Sequence, residues 1–162
     1  MNYVTYLDSP IGTLSLYSDG QALTGLYMDT HAPDGDALPG QDIAPLRAAV
    51  RQLDEYFAGA RREFDLAVAA QGTVFQSKVW AQLQKIPFGE TLSYGQLAKR
   101  IRQPGAARAV GLANNRNPVS IVIPCHRVIG ADGSLTGYGG GIERKQWLLE
   151  HERSLRIHQQ GS

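Results

Sequence analysis

One cysteine and the histidine beside it are the residues of this chain best suited to chemistry. Cys125 is the only cysteine, and it directly precedes His126, one of four histidines. With no second cysteine to pair with, Cys125 is either a buried spectator or a nucleophile. A free thiol has a pKa of about 8.5, so a nucleophilic cysteine needs a neighbouring base or a positive charge. His126 and Arg127 are the candidates nearest in sequence.

Direct contact between the thiol and the imidazole requires a bend in the chain. Neighbouring side chains of an extended segment point to opposite faces, so Cys125 and His126 meet only if the chain turns between them. Pro124 favours a local turn at this point, and a bridging water is the other route. A histidine that acts as a base usually needs an acid to orient its far nitrogen.

The candidate for that acid is Glu152, on a helix predicted over residues 142–152. Leu148 and Leu149 mark the inward face of this helix, and helical spacing places Glu152 and Lys145 on the same face. A carboxylate that faces inward requires a polar or charged partner. Without the Cys-His pair, a solvated glutamate at a frayed helix end explains the position equally well.

The charge of the chain is divided unevenly between its two halves. The 162 residues carry a formal charge of +1. Residues 1–71 contain four basic and ten acidic residues, a net charge of −6, whereas residues 72–162 contain twelve basic and five acidic residues, a net charge of +7. A polyanion such as nucleic acid therefore suits the second half. Small domains often carry uneven charge, so this pattern needs a docking element to support DNA binding.

The first half is predicted to be a small α+β scaffold. Alternating apolar residues predict three short strands at residues 4–6, 14–18 and 23–28. A loop rich in proline, glycine and aspartate is expected from Thr30 to Asp42, followed by a helix over residues 43–57. Nothing in this half indicates catalysis, and its one histidine, His31, is expected on the surface of the loop.

The second half contains the sequence outline of a helix-turn-helix. Thr73 and Ser93 each start a predicted helix, and Ser93 does so in a capping box. A tight break over residues 102–105 then leads to a further helix over residues 106–114. That helix combines small side chains with a single arginine, Arg108, which suits a shallow minor groove and one inserted side chain. A structural helical hairpin with a surface arginine is the alternative.

The cysteine content and the lack of long apolar segments indicate the compartment in which the protein works. The single cysteine and the lack of a signal segment or an apolar run of about 18 residues argue for a soluble protein in a reducing compartment. Structural zinc is also improbable, because closed zinc sites usually need several cysteines.

The motifs around these residues resemble those of the O6-alkylguanine-DNA alkyltransferases, also called methylated-DNA–protein-cysteine methyltransferases. The central motif is IPCHRV at residues 123–128. The resemblance continues in SYGQL (93–97), AARAVG (106–111), NPV (117–119), GYGG (137–140) and WLLEHE (147–152). It covers most of residues 73–152, whereas the first half is similar only in its pattern of strands and helix.

The resemblance implies an α+β fold of two domains. Residues 1–71 would form a ribonuclease-H-like scaffold with a small sheet and a helix. Residues 72–162 would form a mostly helical, winged helix-turn-helix domain that binds DNA and carries the catalytic site. The implied activity is single-use DNA repair: minor-groove binding, flipping of the damaged guanine, and irreversible transfer of its O6-alkyl group to Cys125. Transfer from O4 of thymine is expected to be less efficient.

The family's site residues are carried over by position. Cys125 would accept the alkyl group, His126 would deprotonate it through a water, and Glu152 would orient the histidine. Asn117 would brace the site, and Tyr94 would contact the guanine and help to protonate it. The residues expected to bind DNA or the flipped base are Arg108, which would fill the gap in the stack, Ala107, Tyr138, Gly139, Val128 and, near the thiol, Lys145.

The same resemblance sets expectations for partners and cofactors. The partner would be duplex DNA containing O6-alkylguanine, bound by a monomer, with cooperativity left open. The protein would be cytoplasmic, of bacterial type, and associated with the nucleoid when on DNA. No cofactor is expected, and no metal, because the cysteines with which some relatives bind zinc are missing. Glycine at 139, where some relatives have serine, keeps backbone contact but leaves the preferred adduct size open.

Two other functions remain possible on the residues alone. Cys125, His126 and Glu152 also suit a cysteine hydrolase. A DNA-binding regulator without chemistry, in which Cys125 is merely buried, is the second alternative.

Overall fold

The structure is a computed structural model that describes residues 2–28, 36–135, 137, 138 and 140–160. The chain forms two compact units, Met1–Gln71 and Gly72–Ser162. Among the described residues, no helix has both the length and the apolar character needed to cross a membrane.

The first unit is built on a four-stranded sheet. Its strands are β1 (Tyr3–Ser9), β2 (Gly12–Ser18), β3 (Leu23–Met28) and β4 (Leu38–Pro39), in the order β3-β2-β1-β4. The first three strands pair antiparallel, as their alternating apolar residues and short turns predict. Leu14, Leu16 and Leu26 are completely buried and form the inner layer of this unit.

The expectation of a continuous loop from Thr30 to Asp42 is wrong at β4. This short strand runs parallel to β1, with Leu38 N–H donating to Asn2 O at 3.0 Å and Gly40 N–H donating to Val4 O at 2.8 Å. A strand of two residues is too short to show an alternating pattern. Pro39 also argues against a strand in the sequence, because proline is tolerated in a sheet only at its edge. Residues 30–35 of the predicted loop, including His31, lie outside the described residues.

One helix covers the sheet. Helix α1 (Ala44–Phe57) begins one residue later than predicted, has proline in its first turn, and buries Leu46, Ala49 and Leu53. Gly59 follows the helix at a φ of +81°, a conformation that glycine adopts without strain. The prediction of a small sheet with a helix is therefore confirmed.

The second unit is mostly helical. Its elements are α2 (Val74–Leu83), β5 (Leu92–Ser93), α3 (Tyr94–Arg100), α4 (Ala107–Asn115), a 3-10 turn (Cys125–Arg127), β6 (Val128–Ile129) and α5 (Ile142–Gln160). Thr73 and Ser93 begin α2 and α3 in capping boxes: each hydroxyl accepts a hydrogen bond from the backbone N–H of a glutamine three residues later. The predicted mixed α+β fold is confirmed.

Two features of this unit hold its helices and strands together. The indole N–H of Trp80, on α2, donates to the carbonyl of Ala113 on α4 at 2.9 Å. Strands β5 and β6 pair in parallel, with Leu92 opposite Val128 and Ser93 opposite Ile129. The residue that caps α3 is therefore paired with the strand that follows the cysteine turn.

The last helix is longer than predicted. Helix α5 continues eight residues past Glu152 to Gln160, because neither proline nor glycine occurs in that stretch. Lys145, Leu148 and Glu152 are buried, as the helical spacing predicts, and Leu149 is half-buried.

Candidate active site

The cysteine lies in a bend made of two consecutive tight turns. Cys125 N–H donates to Ile123 O at 2.8 Å across Pro124, whose φ of −81° and ψ of 66° are those of an inverse γ-turn. The 3-10 turn then begins at Cys125 itself. The chain therefore turns at Cys125 and His126, as contact between the thiol and the imidazole requires. Cys125 is only 3 % exposed.

The segment before this bend is strained. Ile121 has a φ of +72°, and Val122 N–H donates to Ser120 O at 2.8 Å, so Ile121 is the centre of a second γ-turn. A branched side chain in this conformation costs about 1–3 kcal/mol and persists only where its surroundings impose it. Burial of Ile121 is complete, so packing supplies that constraint.

Asn117 braces the same segment from the inside. Its side-chain N–H donates to Ile123 O at 2.7 Å, and its side-chain oxygen accepts from Val119 N–H at 2.9 Å. The two bonds reach across the strained turn. Asn117 also lowers the pKa of Cys125. The bracing role of Asn117 stays a prediction, and these hydrogen bonds are the contacts through which it would act.

A buried carboxylate connects the histidine to an arginine. The Nε2 of His126 lies 2.7 Å from Glu152 Oε2, and Arg127 donates to both carboxylate oxygens, at 2.8 and 3.0 Å. Arg127 also donates to Ile86 O at 2.6 Å. Glu152 is 1 % exposed, so the carboxylate is almost entirely removed from water.

Arg127 was expected to supply a positive charge to the Cys125 thiol, and the structure places it elsewhere. Its guanidinium is held by Glu152 and by the carbonyl of Ile86, and the cation that acts on the thiol is Lys145. Burial raises the pKa of Cys125, while Asn117 and Lys145 act in the opposite direction. At rest, burial therefore favours the neutral thiol.

The hydrogen bonds fix the role of each imidazole nitrogen. Burial would raise the pKa of Glu152, but His126 and Arg127 outweigh it and hold that pKa well below the ordinary value. An ionised carboxylate only accepts hydrogen bonds, so Nε2 of His126 must carry the proton. Burial lowers the pKa of His126, which keeps the ring neutral. Nδ1 is then the basic nitrogen, and it has no hydrogen-bond partner among the described residues.

Lys145 links the last helix to the strand after the cysteine. Its ammonium donates to Val128 O at 2.5 Å and lies 5.9 Å from the centre of the Tyr94 ring. The Val128 N–H donates to Cys125 O, so both backbone groups of Val128 have partners within the protein. Burial lowers the pKa of Lys145, and the charge of Cys125 opposes that change.

The other residues expected to meet the base lie in two places. The Tyr138 hydroxyl is buried, and burial raises its pKa well above the ordinary value. Among the residues that the structure describes, this hydroxyl has no hydrogen-bond partner, although Ser120 is near enough to lower that pKa. A Cβ built at Gly137 would lie 3.5 Å from the Tyr94 hydroxyl, an ordinary van der Waals distance, so the backbone at Gly137 lies near that hydroxyl. Gly139 lies outside the described residues.

Arg108 and Ala107 lie in the first turn of α4, and neither is buried. Arg108 is exposed and Ala107 is half-exposed, and their contacts with DNA stay predictions. Among the residues that the structure describes, no group of three histidine, cysteine or acidic side chains is arranged to hold a metal.

Both halves of the chain match models of known protein families. Residues 2–70 match the family model for the ribonuclease-like domain of 6-O-methylguanine DNA methyltransferase, and residues 74–154 match the model for its DNA binding domain. The chain belongs to the 6-O-methylguanine DNA methyltransferase family.

Individual members of this methyltransferase family align along nearly the whole chain. The methylated-DNA–protein-cysteine methyltransferase of Mycobacterium bovis is 54% identical over 150 residues, covering 91% of this chain and 90% of its own. The methylated-DNA–protein-cysteine methyltransferase of Methanosarcina acetivorans is 46% identical over 157 residues, covering 94% of this chain and 99% of its own. The crystal structure of Mycobacterium tuberculosis OGT in complex with DNA is similar with a TM-score of 0.89 and 52% identity, covering 94% of each chain.

The sequence did not predict the contacts that three polar residues make around Cys125 and Glu152. Arg127 binds Glu152, Asn114 donates from its side chain to Cys125 O at 3.3 Å, and Ser120 lowers the pKa of Cys125. Asn114 and Ser120 lie 11 and 5 positions before the cysteine, without any helical or strand spacing to it. Ser120 is the one polar residue in the apolar run at residues 119–123, which is a weak signal, whereas Asn114 is followed by other polar residues and gives no such signal.

The buried network predicts acid sensitivity. The pKa values of Glu152 and His126 are both lowered by folding, so the folded state binds fewer protons than the unfolded chain and stability falls as the pH falls. We expect the loss to begin below pH 6.5, where unfolded histidine takes up a proton, and to steepen below pH 4.5, where unfolded glutamate does. Urea unfolding between pH 8 and pH 3 measures this loss.

Other carboxylates also titrate in this range, so the control is a comparison with Glu152→Gln. Below pH 4.5, the difference in free energy of unfolding between the two proteins should narrow by up to about 1.4 kcal/mol per pH unit. A difference that stays constant from pH 7 to pH 3 would contradict a lowered pKa of Glu152 in the folded protein.

Proposed function

We propose that this protein repairs alkylated DNA by transferring a methyl or larger alkyl group from O6 of guanine to Sγ of Cys125, once per chain. O4 of thymine would be a poorer donor. The observation that carries the proposal is the buried Glu152–His126 pair beside the only cysteine, in a unit that matches a DNA binding domain. In the reaction, the bond between O6 and the alkyl carbon breaks as the bond between sulfur and that carbon forms.

The thiol loses its proton before it attacks. His126 Nδ1 takes that proton through a water, because Nε2 already carries a proton toward Glu152. The imidazolium formed in this way is stabilised by the ionised carboxylate. Lys145 supports the thiolate electrostatically, since the two groups act on each other's pKa. Cys125, His126 and Glu152 are thus the proposed nucleophile, base and orienting acid.

The departing guanine needs a proton, and Tyr94 is the proposed donor. Its ring lies beside the buried Lys145, and its hydroxyl lies close to Gly137 in the glycine-rich segment. The backbone of Tyr138, Gly139 and Val128 is proposed to contact the edges of the base. The Val128 carbonyl, which already accepts from Lys145, has a second lone pair for this purpose.

The base must leave the duplex to reach a buried thiol. Arg108 is proposed to enter the minor groove from α4 and occupy the space that the flipped guanine vacates, with Ala107 allowing the helix to approach the backbone closely. Its exposure on the first turn of the helix supports this role. The partner is duplex DNA that contains O6-alkylguanine, and the protein acts as a monomer in the cytoplasm or on the nucleoid.

A stoichiometric experiment tests the proposed function. With duplex DNA containing O6-methylguanine in excess, each chain should gain the mass of one methyl group, on Cys125, and then stop. Intact mass and peptide mapping measure this uptake, and Cys125→Ser should show none. Continued turnover would indicate a hydrolase instead, and an unchanged mass despite DNA binding would indicate a regulator without chemistry.

A further inference from the structure

We propose that Arg102, in the turn between α3 and α4, binds a phosphate of the DNA backbone. This inference rests on the proposed function and adds a residue that lies outside the motifs on which the family resemblance depends. It starts from a conformation that arginine rarely adopts.

Arg102 lies in the left-handed region of backbone space. Its φ is +63°, and it is one of two residues other than glycine with positive φ among those described. Side chains with a Cβ are disfavoured there by a clash with the following carbonyl, whereas glycine is not. A non-glycine residue at such a position therefore suggests that the side chain itself has a use.

The hydrogen bonds show which position this is. Arg102 N–H donates to Lys99 O at 3.0 Å, and Gln103 N–H donates to Ala98 O at 2.9 Å. These two bonds close the end of α3 in a Schellman motif, and Arg102 occupies the residue just beyond the helix cap, where glycine is the usual choice. Arg102 here takes the place for which glycine is the better conformational fit.

The surroundings explain why a cation would be useful at this position. No acidic residue occurs between Glu90 and Asp132. The basic residues in that stretch are Lys99, Arg100, Arg102, Arg108, Arg116 and Arg127, and all but Arg127 are exposed. Among the described residues, the Arg102 guanidinium has no carboxylate within ion-pairing distance. The exposed surface of the helix-turn-helix therefore offers cations without internal counterions, as a polyanion requires.

A favourable interaction with the helix dipole is the competing explanation. Cations near the end of a helix do stabilise it, but α3 has only seven residues and already carries Lys99 and Arg100 in its last turn. An additional cation beyond the cap gains little from the dipole. A phosphate contact accounts for the charge, its exposure and its lack of an internal partner together.

Three substitutions separate backbone strain from charge. Arg102→Gly removes both, Arg102→Ala removes the charge and keeps most of the strain, and Arg102→Lys keeps the charge. Arg47→Ala, at an exposed position on α1 of the other unit, is the matched control for the loss of one cation. Binding of the full-length proteins to an undamaged duplex is measured at several salt concentrations, and Tm is measured in parallel.

For the glycine and alanine variants, the slope of log K against log salt should become shallower by about 0.9, the value for one lost phosphate contact. The affinity at about 0.1 M salt should fall several-fold for both. The lysine variant and Arg47→Ala should keep the original slope. Arg102→Gly should melt about 2–4 °C above Arg102→Ala, since only glycine relieves the strain.

Two results would overturn the inference: an unchanged slope for Arg102→Gly, or a glycine variant that melts below the alanine variant. All Arg102 variants should react with free O6-benzylguanine at the original rate, because that substrate has no phosphate. If the unsubstituted protein takes up no alkyl group, the proposed function fails, while the binding slopes still report separately on Arg102.

Discussion

Replacing Glu152 with glutamine should slow alkyl transfer by about 10²–10⁴-fold, the range for loss of general base catalysis. The amide has nearly the same shape as the carboxylate but no charge, so it cannot stabilise the imidazolium of His126. Its NH₂ group would also face a donor, either Nε2 of His126 or the guanidinium of Arg127. Single-turnover rates with methylated duplex in excess measure the effect.

The same substitution should lower the free energy of unfolding by about 3–5 kcal/mol, the usual cost when one partner of a buried ion pair is removed. Arg127 would remain buried without a counterion. Glu150→Gln is the matched control, because Glu150 is exposed on the same helix and accepts a hydrogen bond from the exposed side chain of Gln146. Its stability should stay within about 0.5 kcal/mol of the original value.

If the glutamine variant is too unstable to assay, Glu152→Asp provides the test. Aspartate keeps the charge but withdraws it by one methylene group, so it cannot reach both His126 and Arg127 at the present distances. We expect a smaller loss of stability and still a slower transfer. An aspartate or glutamine variant that reacts at full rate would show that Glu152 has no part in activating the thiol.

Replacing Arg108 with alanine should slow transfer from duplex DNA by about 10²-fold while leaving the reaction with free O6-benzylguanine within about twofold. Unstacking a base costs a few kcal/mol, and every 1.4 kcal/mol that an inserted side chain recovers is worth tenfold in the population of the flipped state. A free base needs no flipping, so it reports only on the chemistry around Cys125.

Arg116→Ala separates a flipping role from a general loss of charge. Arg116 is exposed at the opposite end of α4 and also contributes one cation to this surface. Its loss should weaken affinity, but at saturating duplex the transfer rate should return to the original value, whereas Arg108→Ala should stay slow. Equal losses on duplex and free base would refute a flipping role for Arg108.

Local signals in the sequence were sufficient for most of the secondary structure. The capping boxes at Thr73 and Ser93, and the apolar periodicity that turns Lys145 and Glu152 inward, depend on residues within four positions of each other. Such patterns are legible because a helix repeats the same geometry along its length. The motif at residues 123–128 then identified the chemistry.

The partner of Arg127 and the strain at Ile121 were beyond that approach. Arg127 meets Glu152 across 25 residues and Ile86 across 41, and no local spacing indicates which carboxylate or carbonyl a buried guanidinium will reach. Ile121 has positive φ in a stretch that otherwise favours strands, because tertiary packing overrides its preference. Both features lie beside Cys125, and functional sites are where local sequence preference and the folded structure most often disagree.

The burial of Cys125 has a consequence for the time before any damage is met. A thiol that reacts only once is lost for repair if an oxidant or another electrophile modifies it first. A cysteine that is 3 % exposed, with a pKa raised by burial, presents little thiolate to such molecules. The packing around Cys125 therefore protects the unreacted thiol, and under the proposed mechanism it keeps the single reaction for a base that enters the site.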